Sequence, residues 1–214
     1  MESLDVLATE CRQCRRCPLA EARTQVVLAR GNPSARLLLI GEAPGADEDR
    51  LGLPFVGRSG QLLDRLLTEA GLDPERDLFI VNAIKCRPPQ NRRPTPVELA
   101  ACRPWMERQV ALVDPDLILL VGATALQGVL GVKGGITRLR GQWRPGEGHL
   151  LAGRALMPLL HPSYLLRNAS EAEGSPRWHT RADLAAVRRR LDGQGLPRPT
   201  APERQELGDT KRSC

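Results

Sequence analysis

Four short, wholly apolar runs punctuate the chain, at residues 37–40, 78–81, 117–121 and 156–160. Turn-forming residues bound each of them. Continuous apolar runs of this length fit strands buried on both faces, as in a parallel sheet. Between the runs the apolar positions recur with helical spacing. Leu62, Leu63, Leu66, Leu67 and Ala70 mark one helix face, and Gly71 follows as its stop. Thr95-Pro96-Val97-Glu98 reads as a capping box with proline at the first helical position, opening a helix toward Val113. Pro104 lies inside that pattern and predicts a kink or a restart. Further helices are predicted at 123–130 and 183–191. In the second, Leu184, Val187 and Leu191 share one side and Arg188, Arg189 and Arg190 point toward solvent.

Strands alternating with helices predict a parallel sheet sandwiched between helices. Ligands of such sheets bind beyond the carboxyl ends of the strands. The residues just past the four runs include Gly41-Glu42, Asn82, Gly122 and His161. A carboxylate, an amide and an imidazole are thereby predicted to converge on one rim.

The chain has 214 residues, enough for one domain with a sizeable core. That domain is read as residues 1–192, with 193–214, rich in proline, glycine and charge, as a disordered tail. Hydrophobic residues make up 41% and charged residues 26%, an ordinary soluble mix. No apolar run is long enough to span a bilayer. The N-terminus, Met1-Glu2-Ser3-Leu4-Asp5, carries no apolar signal core, so a cytoplasmic location is expected. Lysine and arginine number 31 against 25 acids, a net charge of +6 that mildly favours a polyanionic partner.

Six cysteines in such a protein point to metal ligands or free thiols rather than disulfides. Cys14 and Cys17 form a C-x-x-C pair. Cys86 follows the second apolar run and Cys102 lies in the capped helix. Four thiolates suit either zinc or an iron–sulfur cluster, and spacing does not separate the two. Cys11 offers a second register for the first pair. Cys214 reads as a bystander in the tail.

Longer motifs make the chain recognisable. Gly41-Glu42-Ala43-Pro44-Gly45-Ala46-Asp47-Glu48-Asp49 resembles the first active-site motif of family 4 uracil-DNA glycosylases, and His161-Pro162-Ser163-Tyr164-Leu165-Leu166-Arg167-Asn168 resembles their second. Leu53-Pro54-Phe55-Val56-Gly57 and Val81-Asn82-Ala83-Ile84-Lys85-Cys86-Arg87-Pro88-Pro89 look like the same family. The resemblance covers residues 14–192. It implies an α/β/α three-layer sandwich with a central, mainly parallel four-stranded sheet. It also implies a [4Fe–4S] cluster on Cys14, Cys17, Cys86 and Cys102, with Cys11 extra. The implied activity is excision of flipped-out uracil from single- and double-stranded DNA in base excision repair. The implied partner is uracil-containing DNA, and the protein is expected to act as a monomer.

The chemistry of that reaction assigns the side chains. Breaking the N-glycosidic bond leaves positive charge on the sugar and negative charge on the base, so electrostatic stabilisation of both ends is needed. His161 is expected to donate a hydrogen bond to uracil O2, which a neutral imidazole can do. Glu42 is the candidate for holding the attacking water, with Glu48 as the alternative. Asp47 and Asp49 read as acidic residues at a helix N-terminus. The Asn82 amide matches uracil O4 and N3–H, where cytosine presents the opposite pattern. Phe55 is the expected stacking platform for the flipped base, and the backbone of Gly41, Glu42 and Ala43 the pocket rim. Leu165 and Leu166, beside Arg167, resemble a minor-groove wedge, and Lys85, Arg87, Arg92 and Arg93 are expected near the DNA backbone. His149 and His179 are assigned nothing.

Two other readings compete. One is a relative that traps abasic DNA covalently through a histidine in a basic loop after the second strand, but residues 85–94 contain no histidine. The other is a non-catalytic iron–sulfur or zinc module that binds nucleic acid, which leaves Glu42, Asn82 and His161 unexplained. A phosphate loop is disfavoured because residues 41–45 lack its spacing and its lysine.

Overall fold

The computed structural model describes residues 2–132 and 134–193; most of the segment read as a disordered tail, 194–214, lies outside the described residues. The chain opens with helices α1 (Leu4–Arg12) and α2 (Leu19–Ala22), then strands β1 (Arg30–Gly31) and β2 (Leu37–Gly41). Helices α3 (Ala46–Leu51) and α4 (Arg58–Glu69) lead to β3 (Leu78–Asn82), and α5 (Pro96–Val113) leads to β4 (Leu117–Val121). The third quarter holds α6 (Ala123–Leu130), α7 (Ile136–Leu139), β5 (Arg144–Pro145) and α8 (Gly148–Leu151). Strand β6 (Ala155–Leu159) and helices α9 (Pro162–Arg167) and α10 (Pro176–Leu191) complete it.

The strands form one sheet in the order β1-β3-β2-β4-β6-β5. The inner four are parallel, and they are the four apolar runs. Their unbroken hydrophobicity has a direct cause: both faces are buried. Leu37, Leu39, Leu78, Ile80, Leu117 and Leu119 pack on one side with Leu63, Leu67, Leu184 and Val187 of α4 and α10. The alternate residues Leu38, Ile40, Phe79, Val81, Ile118 and Leu120 pack on the other with Met106 and Val110 of α5 and with Ala125 and Leu126 of α6. The fold is therefore the expected α/β/α sandwich.

Three expectations are corrected. The sheet is mixed and six-stranded, because β1 and β5 pair antiparallel at its edges. Each of these is two residues long, too short to carry a period-two signal. Helix α5 runs as one helix from Pro96 to Val113 and does not restart at Pro104, its i→i−4 ladder resuming past the proline. Helix α10 begins at Pro176 rather than at 183, with Ser175 accepting a hydrogen bond from the Trp178 backbone N–H at 3.3 Å. Its polar first turns hide its start from periodicity.

Strand β2 sits between β3 and β4, and the chain leaves it over one face through α4 and later crosses the other through α5. The carboxyl ends of β2 and β4 thus flank a topological switch point, the usual crevice for a ligand in such a sheet.

Candidate active site

In register, the last residues of β2 and β3, Gly41 and Asn82, are Cα partners. Glu42 follows immediately. His161 stands two residues past β6 and is the N-cap of α9. The three side chains predicted to converge line one open cavity of about 360 Å³ with Phe55, Glu48 and Arg167.

The cavity floor depends on a missing side chain. A Cβ on Gly41 would lie 2.4 Å from Asn82 Oδ1 and 2.4 Å from Phe55 Cζ. Only glycine lets the amide and the ring approach the strand this closely. Phe55 is buried and adopts φ 56°, a left-handed conformation uncommon for an aromatic residue. Gly60 makes room for that turn, since a Cβ there would lie 1.8 Å from the Phe55 carbonyl oxygen. Glu48 holds the same turn from the other side. Its carboxylate accepts from the backbone N–H groups of Gly45 at 3.1 Å, Val56 at 3.0 Å and Gly57 at 2.8 Å. It both closes the α3 capping box and pins the Phe55 loop.

His161 has a defined tautomer. Its Nδ1 accepts the Ser163 backbone N–H at 3.2 Å and lies 2.9 Å from Ser163 Oγ. Accepting a backbone N–H requires a lone pair on Nδ1, so the ring proton of the neutral form sits on Nε2. Burial holds the imidazole's pKa below its ordinary value, against the opposing pull of the Glu42 carboxylate, while Arg167 adds to the lowering. The ring lies 6.1 Å from the Phe55 ring, tilted by 35°.

Glu42 accepts a hydrogen bond from the Thr124 hydroxyl in the first turn of α6. Glu42 and His161 also border a second chamber of about 350 Å³ beside Gly122, Thr137 and Arg93. Asn91 and Arg92 reach the main cavity from the loop after β3. Ser163, Asn91 and Arg92 were not assigned to the pocket from sequence, nor was Thr124 assigned as a partner of Glu42. The signal available was position alone: Thr124 and Ser163 follow the ends of β4 and β6.

Several assignments are relocated. Lys85 is 1% exposed, and its Nζ donates to the Asn82 carbonyl oxygen at 2.6 Å, so it is no part of a DNA-facing surface. Burial lowers its pKa to about 8. Leu165 is fully buried in the core under α4 and cannot act as a wedge in this conformation; Leu166 is partly buried against the same cluster. The apolar run simply continued into the core. Arg167 is exposed at the cavity edge. Arg87 is partly exposed and donates to Asn91 Oδ1 at 2.8 Å. Asp49 does stand in the first turn of α3, and it is also buried and accepts from the Thr24 N–H at 3.0 Å, anchoring the segment that leads into β1. Ala43 lines the cavity.

The cysteines gather elsewhere. Cys11, Cys14, Cys17, Cys86 and Cys102 line one small cavity with Arg23 and Trp105, and none of the five is in a disulfide. Three of the sulfurs receive N–H donors: Cys14 from the Trp105 indole at 3.2 Å, Cys86 from Arg23 at 3.3 Å and Cys102 from the Lys85 backbone at 3.3 Å. Burial pushes the Cys11 thiol up to about 12 and Cys102 to about 11. Among the described residues, no group of three or more His, Cys, Asp or Glu side chains is drawn close enough to hold a metal ion.

A family model described as the uracil DNA glycosylase superfamily matches residues 28–186. The chain is 44% identical over 173 residues to the type-4 uracil-DNA glycosylase of Thermotoga maritima, covering 79% of this chain and 86% of that protein. It is 37% identical over 176 residues to the type-4 enzyme of Sulfurisphaera tokodaii, covering 78% of each. Similarity extends to a type-5 uracil-DNA glycosylase of Thermus thermophilus, at 35% over 182 residues, covering 70% of this chain and 82% of that protein.

Proposed function

The chain belongs to the uracil-DNA glycosylase superfamily, and on that premise we propose that it excises uracil from DNA by hydrolysing the N-glycosidic bond of a flipped-out deoxyuridine. The observation that carries this reading is the meeting of Glu42, Asn82 and His161, from three different strand ends, in one cavity walled by Phe55.

The base enters against Phe55, and the Asn82 amide pairs with it, donating to O4 and accepting from N3–H. Cytosine has a donor at C4 and no proton on N3, so it leaves Asn82 buried and unpaired, which discriminates strongly. The His161 Nε2–H, fixed by the Ser163 N–H on Nδ1, donates to O2 as the C1′–N1 electron pair departs onto the base. Glu42 holds a water against C1′, takes its proton as the C1′–O bond forms, and offsets the charge on the sugar. Glu48 is a positioning residue here: its oxygens are occupied by three backbone N–H groups. Arg167 and Arg93 supply positive charge at the cavity edges for phosphates, whereas the Arg92 guanidinium is paired with Glu98.

The cysteine cavity supports a [4Fe–4S] cluster on Cys14, Cys17, Cys86 and Cys102. The donor set is all sulfur, and N–H groups aim at three of the sulfurs, as thiolates would require. When bound, such a group ties the connection between α1 and α2, the loop after β3 and α5 together; the hydrolysis itself transfers no electrons.

The test is single-turnover excision on a uracil-containing oligonucleotide, with alkaline cleavage of the abasic product. Wild type should release uracil and leave cytosine, and Glu42→Gln should lose on the order of 10²–10³ in rate. No cleavage by the wild type would sink the proposed activity, and a wild-type rate in Glu42→Gln would sink the assignment of Glu42.

A further inference from the structure

The turn between β4 and α6 touches both reacting groups at once. Strands β2 and β4 are neighbours, with Ile40 and Leu120 as Cα partners. Two residues further along each, Glu42 and Gly122 come level at the switch point. Gly122 is tied to β6 by its N–H to the Leu159 carbonyl at 2.9 Å. Its φ of +92° suits glycine, and a Cβ there would lie 3.1 Å from His161 Cβ and 3.2 Å from Cδ2. The imidazole therefore rests directly on the Gly122 backbone. Two residues later Thr124, 7% exposed, donates its hydroxyl to Glu42 Oε2.

Gly122 is the N-cap of α6 and provides no side-chain cap. The carboxylate of Glu42 instead reaches that helix N-terminus from the adjacent strand, through the Thr124 hydroxyl. Negative charge is favoured there. With one oxygen engaged, a carboxylate that would otherwise rotate freely is left with a single free oxygen and a fixed plane. A threonine hydroxyl in a helix usually turns back to a carbonyl three or four residues earlier. Thr124 instead reaches a residue 82 positions away in sequence.

Resting on the reading of Glu42 as the water-holding carboxylate, we propose that Thr124 is a positioning residue for the reaction. It fixes the orientation of Glu42, and with Gly122 it makes one rigid turn that sets the spacing between carboxylate and imidazole. Near-attack geometry is sensitive to small displacements, so a loose carboxylate lowers the rate of the chemical step more than it weakens binding.

The experiment is a double-mutant cycle on the full chain under single-turnover and steady-state conditions. Thr124→Val, nearly isosteric but without the donor, should lower kcat about 10- to 100-fold, the range for a hydrogen bond to a charged group, with KM nearly unchanged. Thr124→Ser should recover most of the rate. In a Glu42→Gln background, Thr124→Val should add no further loss, because the group it orients is already disabled. Wild-type kcat in Thr124→Val, an effect confined to KM, or losses that multiply in the double variant would each overturn the proposal. Where Thr124→Val does not fold, Thr124→Ala is put through the same cycle. A wild-type rate in Glu42→Gln alone is a different failure: it removes the role of Glu42 itself.

Discussion

Gly41 illustrates how a single residue shapes this pocket. The backbone there needs no special conformation; what matters is that Asn82 and Phe55 occupy the volume a side chain would take. Gly41→Ala should therefore act through space. Overpacking of this kind costs about 1–3 kcal/mol, and the strain falls on the two groups that face the base. Uracil excision should drop at least ~10-fold, the equivalent of ~1.4 kcal/mol, while the far-ultraviolet circular dichroism stays that of the wild type. A variant with full activity would show that Asn82 and Phe55 do not form the recognition wall. At this scale the sequence was informative where chemistry follows a strand end, as for Glu42, Asn82 and His161. It was silent on Thr124, whose hydroxyl matters only because β2 lies beside β4. It misplaced Lys85 and Leu165, because a lysine or a leucine in a motif does not disclose whether it faces out or in.

Elements depend on their ends, and α5 shows it. Thr95 and Glu98 form the capping box that the sequence announced, with the Thr95 N–H donating to Glu98 Oε2 at 2.7 Å. Glu98 also takes Arg92 in a two-pronged pair at 2.6 and 2.9 Å. The helix start and the loop that borders the cavity are thus fixed by one buried carboxylate. The Arg92 hydrogen bonds, followed by those from Thr95, hold its pKa at about 2, against the ordinary 4.5. A carboxylate depressed in the folded state stabilises fully above its unfolded value and loses that contribution as pH falls from about 4.5 toward 2. Glu98→Gln should cost about 1 kcal/mol at neutral pH and flatten the stability–pH curve across that window. Denaturant unfolding at pH 7 and pH 3 checks it; equal pH dependence in variant and wild type would contradict the ion pair's role. Helix α10 was legible only in its amphipathic second half, and the edge strands not at all, since each is defined by pairing rather than by pattern.

Across the whole molecule, the cysteine cavity joins parts distant in sequence. Leu7 of α1, Ile84 after β3 and Trp105 of α5 share a small apolar cluster with the thiols, apart from the two cores on the sheet faces. A group bound there would stabilise the fold by joining these segments. Cys86→Ser should accordingly lose bound iron and sulfide and lower the melting temperature by at least ~5 °C, about 2 kcal/mol for a domain of this size. Iron analysis with thermal unfolding measures both. Unchanged melting together with lost iron would separate the cluster from stability. Iron-free wild-type protein would remove the cluster altogether. No helix among the described residues is long and apolar enough to cross a membrane.

By itself the sequence determined the layered α/β architecture, the four inner strands and the rim on which the reacting groups stand. These follow from local rules: unbroken apolar runs must be buried on both faces, and residues just beyond parallel strands collect at one edge. Strand order, which neighbours meet, and which way each side chain turns were decided only by the tertiary structure. Those depend on contacts between residues far apart in the chain, such as Thr124 with Glu42 and Lys85 with the cysteines, which no local pattern encodes.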